Sequence, residues 1–180
     1  MRKDLIAMAF TEIDIRKYCE ESPLSLIGDQ WALLSAGDKN GWNTMTVSWG
    51  QLGVLWNKNV VTVYIRPQRH TLKFVEENEN FSLSFFPPEY HQALAFCGSH
   101  SGRDCDKAKE TGLTAAFGAG SVWFQEAKLV LVCRKLYRQP LLPECFLDGE
   151  TEQKCYPGKD YHICFIGEIT AAMKQEAELV

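Results

Sequence analysis

Residues 43–56 read N-T-M-T-V-S-W-G-Q-L-G-V-L-W, and after a short polar turn residues 60–71 read V-V-T-V-Y-I-R-P-Q-R-H-T. The β-branched run at 60–65 is strand chemistry. It delivers Arg66, Pro67, Arg69, His70 and Thr71 together at its end, and rigid strand ends that carry such donors commonly present a site. Arginine offers a planar fork matched to phosphate or carboxylate, Thr71 adds a hydroxyl, and Pro67 fixes φ at the corner. The cluster suits an anion, a phosphate first of all. The same two arginines taken alone also fit a solvated strand edge.

A second cluster, S-H-S-G-R-D-C-D-K at 99–107, again joins hydroxyls, a glycine and an arginine. Asp104 reads as the N-cap of a helix over 105–111. Ser101, Gly102 and Arg103 would then lie at a helix entry, where backbone N–H groups favour negative charge. Two such clusters point to one anion site.

Upstream, residues 31–36 read as a buried strand, and G-D-K-N-G at 37–41 is turn chemistry. Over 44–49, polar Thr44, Thr46 and Ser48 alternate with apolar Met45, Val47 and Trp49. That is a strand burying one face and turning the other to water or to a polar group. Between the clusters the pattern predicts a helix over 70–77, a strand over 81–86 that stops at two prolines, and a helix over 89–96 broken by Cys97 and Gly98. Strands follow at 121–124, 127–137 and 161–172, with loops at 138–143 and 147–159. Residues 11–21 read as a polar lead-in with some helical character.

Many strands, few and short helices, and no alternation of strand with long helix argue against a doubly wound sheet. There is no G-x-G-x-x-G after a strand, so no Rossmann dinucleotide site is indicated. The expected class is mainly β, a closed antiparallel barrel with short flanking helices. The chain has 180 residues, a length that fits one domain over 1–180, and no repeat or linker divides it.

With 46% hydrophobic and 23% charged residues, composition is that of a soluble globular chain, and its net charge is −4. An acidic balance gives no attraction to nucleic acid or an anionic membrane. No apolar run approaches the roughly 20 residues that span a bilayer. The first residues lack a signal-peptide pattern, so the expected place is the cytoplasm. Seven irregularly spaced cysteines then read as reduced thiols. They form no C-x-x-C and lie at no zinc-finger spacing from the four histidines, so no metal site is expected. Cys133 and Cys164 read as core residues. Cys105, beside Arg103 at the expected helix entry, is the one whose pKa such a place would lower, but with no general-base partner near it in sequence it reads more simply as an ordinary thiol.

Four runs in order, at 43–50, 66–71, 101–107 and 161–169 (Y-H-I-C-F-I-G-E-I), resemble the flavin reductase-like proteins of the FMN-binding split-barrel superfamily, the flavoredoxin type in particular. The likeness spans residues 23–169. It implies a split antiparallel β-barrel with FMN as cofactor, usually at the contact of a homodimer. By that resemblance Met45, Thr46, Val47, Ser48 and Trp49 line the flavin ring, while Arg66, Arg69, Thr71, Ser99, Ser101 and Arg103 hold the phosphate and ribityl end. His162 matches a position the family uses near the flavin and is the candidate catalytic residue, although a histidine at a strand start also serves plain packing. The implied activity is that of an NAD(P)H-dependent flavin reductase, with NADH or NADPH as donor, or a flavoredoxin-like electron carrier with a redox-partner protein. The rival is a non-enzymatic flavin- or haem-binding protein on the same barrel. His70 stands where relatives often carry tyrosine, and Cys105 where an apolar residue is common.

Overall fold

A computed structural model describes residues 10–17 and 21–175. Strand β1 (Phe10–Glu12) is followed by a 3-10 turn (Ile15–Lys17) and a short π-turn (Ser25–Asp29). Then come β2 (Ala32–Asp38), β3 (Gly41–Val47), β4 (Gly50–Leu55), β5 (Lys58–Ile65), α1 (Thr71–Glu77) and β6 (Asn80–Phe85). After a 3-10 turn (Pro88–Tyr90) the chain continues through α2 (His91–Ser99), α3 (Lys107–Thr111), β7 (Ala115–Gly118), β8 (Ser121–Phe124) and β9 (Leu129–Pro140). It ends with α4 (Gly149–Cys155) and β10 (Ile163–Gln175).

Eight strands form one antiparallel sheet in the order β3-β2-β6-β9-β10-β5-β4, with β1 against the end of β10; β7 and β8 form a hairpin of their own. The two edge strands of the long sheet, β3 and β4, are consecutive in the chain, and only Ser48 and Trp49 join them. Three peptide units span at most about 11 Å. The opposite edges must therefore meet at that corner, and the sheet curls into a barrel. No ladder joins β3 to β4, which makes this seam the split of the barrel.

Apolar side chains from alternate positions fill the barrel, among them Leu34, Met45, Val63, Phe81, Leu131 and Phe165. Leu33, Val130 and Val132 face the other way and pack with Leu94 and Cys97 of α2, Leu113 and Phe124. Both faces of β2 and of the first half of β9 are thus buried. This is why L-V-L-V-C at 129–133 is a continuous apolar run rather than an alternating one.

Several elements depart from the sequence reading. Residues 147–159, expected as loop, contain α4, capped by Asp148, whose carboxylate accepts from the Glu150 amide at 3.1 Å. The helix G-E-T-E-Q-K-C is polar all round, so it carries no periodic signal. Asp106, not Asp104, caps α3, accepting from the Lys109 amide at 3.2 Å, and residues 101–105 form a turn. Cys97 and Gly98 do not break α2, which runs on to Ser99. Gly98 lets the helix sit close over β3: a Cβ there would lie 3.3 Å from the Cβ of Thr46. The polar face expected over 44–49 is largely covered. Thr44 is buried and accepts from the Ser35 hydroxyl at 2.8 Å, and Thr46 donates to the Leu94 carbonyl. In the lead-in, residues 10–12 are strand; residues 18–20, with Cys19, lie outside the described residues. Cys133 is buried, while Cys164 is only half-buried. Among the described residues no helix is long and apolar enough to cross a membrane.

Candidate functional site

Where β5 ends, R-P-Q-R makes a β-turn, with the Arg69 amide donating to the Arg66 carbonyl at 3.0 Å and Pro67 at its second position. The turn brings the two arginines to the mouth of a cavity of about 280 Å³. All six residues expected at a phosphate, Arg66, Arg69, Thr71, Ser99, Ser101 and Arg103, line it, together with Asn43, His70, His100, Gly102 and Lys107. A second cavity of about 120 Å³ is lined by Met45, Thr46, Val47, Ser48, Trp49 and His162, with Tyr64. Met45, Arg66 and Arg69 border both, so the two form one groove along the barrel's split. Ser48, Trp49 and Tyr64 continue it into a third, more apolar cavity of about 470 Å³ beside Ile27, Leu141 and Tyr156.

The charges in this groove are arranged unevenly. Arg66 is engaged inside the protein: its guanidinium pairs with Asp160, donates to the Cys155 carbonyl at 3.0 Å and lies 5.3 Å from the centre of the Tyr156 ring. Among the described residues the Arg69 guanidinium donates to the Gly98 carbonyl alone, and that of Arg103 makes one long contact of 3.5 Å to the Gln68 carbonyl. Lys107 is 5% exposed, and its ammonium donates to the carbonyls of Thr44 at 2.8 Å and Cys97 at 2.7 Å. Among the described residues none of these last three cations has a carboxylate partner. A buried, unpaired ammonium is costly, and burial, then Arg69, lowers the Lys107 pKa while nearby Cys97 opposes the change. Burial, joined by Arg103, Lys73 and Lys107, lowers His70 as well. Among the described residues this end of the groove therefore gathers cations without a paired carboxylate, with Asp104 the carboxylate that opposes them at His70.

The hydroxyls are partly committed. Thr71 is buried, and its oxygen accepts from the Asn43 amide at 3.0 Å. Ser99 donates to the Ala95 carbonyl at 2.9 Å, and the Ser101 oxygen accepts from the Arg103 amide at 3.2 Å. At the other end, His162 is 8% exposed, 5.2 Å from Trp49 between ring centres, with Nδ1 2.8 Å from the Tyr156 hydroxyl. Burial above all, then Arg66 and Arg69, pulls its pKa down to about 4, with Asp160 opposing. Lys107, Asn43 and Tyr156 are among the residues that sequence reasoning did not assign, as are Tyr64, Gln68 and His100. Lys107 closed the second cluster, but nothing local marks it as buried. Tyr156 lies in the stretch that read as loop.

The flavin reductase like domain matches residues 24–179, and the chain belongs to that family. Solved structures with the same fold include the flavoredoxin of Methanosarcina acetivorans, 24% identical over 84% of this chain and 71% of that one, with a TM-score of 0.65. An FMN-binding protein from Thermus thermophilus, solved with bound 1-cyclohex-2-enone, is 22% identical over 92% and 83%, with a TM-score of 0.64. The styrene monooxygenase flavin reductase of Pseudomonas putida S12 is 19% identical over 82% and 80%, with a TM-score of 0.60. These likenesses establish the split-barrel fold. No curated protein sequence matches the chain.

Proposed function

We propose that this chain binds FMN along the groove and works as a flavin-dependent redox protein, a flavin reductase drawing on NADH or NADPH or a flavoredoxin-like carrier serving a partner protein. The observation that carries this is the cation cluster of Arg69, Arg103 and Lys107. It lacks carboxylate partners among the described residues and sits at one end of a groove whose other end is aromatic. Phosphate neutralises the first end, and a planar ring suits the second. Family membership supports the flavin.

In this reading Arg69, Arg103 and Lys107 hold the phosphate, assisted by Thr71, Ser99 and Ser101. Arg66 adds charge at the junction while ordering the 155–160 segment against the barrel. Met45, Thr46, Val47, Ser48 and Trp49 form the wall for the ring, and His162 closes it as a neutral side chain at pH 7. Bound FMN would supply the hydride and single-electron chemistry that no side chain here performs. The protein's part is to bind, orient and exclude water.

A homodimer belongs to the same proposal. The β4–β5 hairpin leaves Val54 68% and Trp56 55% exposed, and Trp56 holds a left-handed φ of 53°. Asn57 beside it has a φ of 57°, and a two-residue turn between the paired Leu55 and Lys58 requires both angles. What supports a contact with a second copy is the exposed apolar tip itself, where Trp56 packs against Tyr137 at 6.3 Å between ring centres.

The test is a titration of FMN into flavin-free protein, followed by visible absorbance and fluorescence. One FMN per chain with a shifted spectrum is expected; a spectrum indifferent to the protein overturns the proposal. Turnover of NADH or NADPH with added flavin then separates a reductase from a carrier or store.

A further inference from the structure

The connection between β9 and β10 brings a tyrosine against the one histidine of the groove's aromatic end. Tyr156 is 6% exposed, and its ring is fixed by Tyr161 at 5.1 Å, by Phe146 at 5.7 Å and by the Arg66 guanidinium. Its Oη lies 2.8 Å from His162 Nδ1 and makes no other hydrogen bond among the described residues. Either group could donate across that distance. If Nδ1–H were the donor, the phenol proton would be left in a buried place without an acceptor. If the phenol donates, both groups are satisfied, and buried polar groups are almost always satisfied. The Tyr156 pKa is also raised, by burial first, so the phenol keeps its proton.

A neutral imidazole whose Nδ1 accepts must carry its proton on Nε2. Among the described residues Nε2 makes no hydrogen bond, and it is not among their buried side-chain atoms without a partner, which are Ser84 Oγ and Ser121 Oγ. His162 lines the groove beside Trp49. Its Nε2–H is therefore available to whatever the groove holds. We propose that Tyr156 is a positioning residue that fixes His162 in the Nε2–H tautomer, so that the groove's aromatic end presents a neutral N–H donor to its ligand.

The tautomer stands on the protein's own geometry; the identity of the acceptor rests on the FMN reading. Burial and the neighbouring Arg66 and Arg69 favour the uncharged ring, and Asp160 is the one carboxylate that opposes them.

The experiment is 15N NMR on histidine-labelled, flavin-free full-length protein at pH 7, with the His162 signals assigned by His162→Gln. Expected is a protonated Nε2 and an unprotonated Nδ1. In Tyr156→Phe, which keeps the ring and drops the hydroxyl, the Nδ1–H tautomer should rise to a comparable population and the titration midpoint should move up. A wild-type His162 protonated at Nδ1, or a tautomer ratio unchanged in Tyr156→Phe, overturns the proposal. Adding FMN should then shift the wild-type Nε2 signal. Bound FMN that leaves Nε2 unmoved overturns the donor role, whereas absence of FMN binding with the tautomer as expected overturns the flavin reading and leaves the Tyr156 assignment standing.

Discussion

The ammonium of Lys107 donates to the carbonyl of Thr44 at 2.8 Å, joining the start of α3 to β3, whose residues 45–47 line the second cavity. With its second bond, to the Cys97 carbonyl at 2.7 Å, Lys107 ties α3 to both β3 and α2. In Lys107→Met the desolvation cost of the buried charge disappears, while two carbonyls lose a donor. These terms oppose each other, so unfolding stability should change by no more than about 1 kcal/mol. FMN affinity should fall by about tenfold or more, because a charge-assisted contact is worth roughly 1.5–3 kcal/mol. Urea denaturation and isothermal titration check the two halves; an unchanged affinity would remove Lys107 from the site.

His162 makes stability depend on pH in a defined direction. Its folded pKa, about 4, lies below the ordinary 6.5. Between those values the unfolded chain takes up a proton that the folded chain refuses, so stability is full above pH 6.5 and is lost as pH falls towards 4. The loss is on the order of 3 kcal/mol at about 1.4 kcal/mol per unit. Carboxylates also titrate there, so the informative quantity is the difference from His162→Gln. The variant should lose about 2 kcal/mol less than wild type between pH 7 and pH 4.5 in urea melts. Parallel profiles would show that His162 is not held neutral.

Much of this site was legible because it is local. R-P-Q-R is a turn by its own chemistry and N-T-M-T-V-S-W is one strand and the bridge that follows it, so the two runs could be placed from sequence, while the flavin-ring role of residues 45–49 came from the family resemblance alone. What was not legible depends on distance in the chain. Lys107 is defined by carbonyls 63 and 10 residues away, and Arg66 by Asp160, 94 residues on. An arginine that reads as free for an anion is in fact shared with the β9–β10 connection. The break expected at Gly98 failed for a related reason: that glycine answers a packing need against Thr46, and glycine alone does not end a helix.

Gly102 and Asn43 should be energetically coupled. A Cβ on Gly102 would lie 2.8 Å from Asn43 Cγ, and Asn43 is buried and holds Thr71 at 3.0 Å. Gly102→Ala should cost roughly 1–3 kcal/mol by overpacking. In Asn43→Ala the same change should cost far less, a coupling of about 1 kcal/mol or more in a double-mutant cycle. Additive costs would mean that the turn absorbs the methyl group without touching Asn43.

The exposed β4–β5 hairpin yields a prediction about assembly. Light scattering at micromolar concentration should report a dimer, with an interface above roughly 1,000 Å². Trp56→Glu or Val54→Asp should return it to monomer while the far-ultraviolet spectrum is kept. A wild-type monomer that binds FMN tightly would remove the interface from the proposal and leave the groove.

The phosphate end is tested most directly by comparing FMN with riboflavin, which has the same ring and ribityl chain but no phosphate. Isothermal titration of wild type, Arg69→Ala and Arg103→Ala with each ligand separates a phosphate contact from general damage, since a disturbed barrel loses both alike. Each substitution should weaken FMN by about one to two orders of magnitude and leave riboflavin within about threefold. Equal loss of both ligands, at unchanged melting temperature, would contradict the assignment of these arginines to the phosphate.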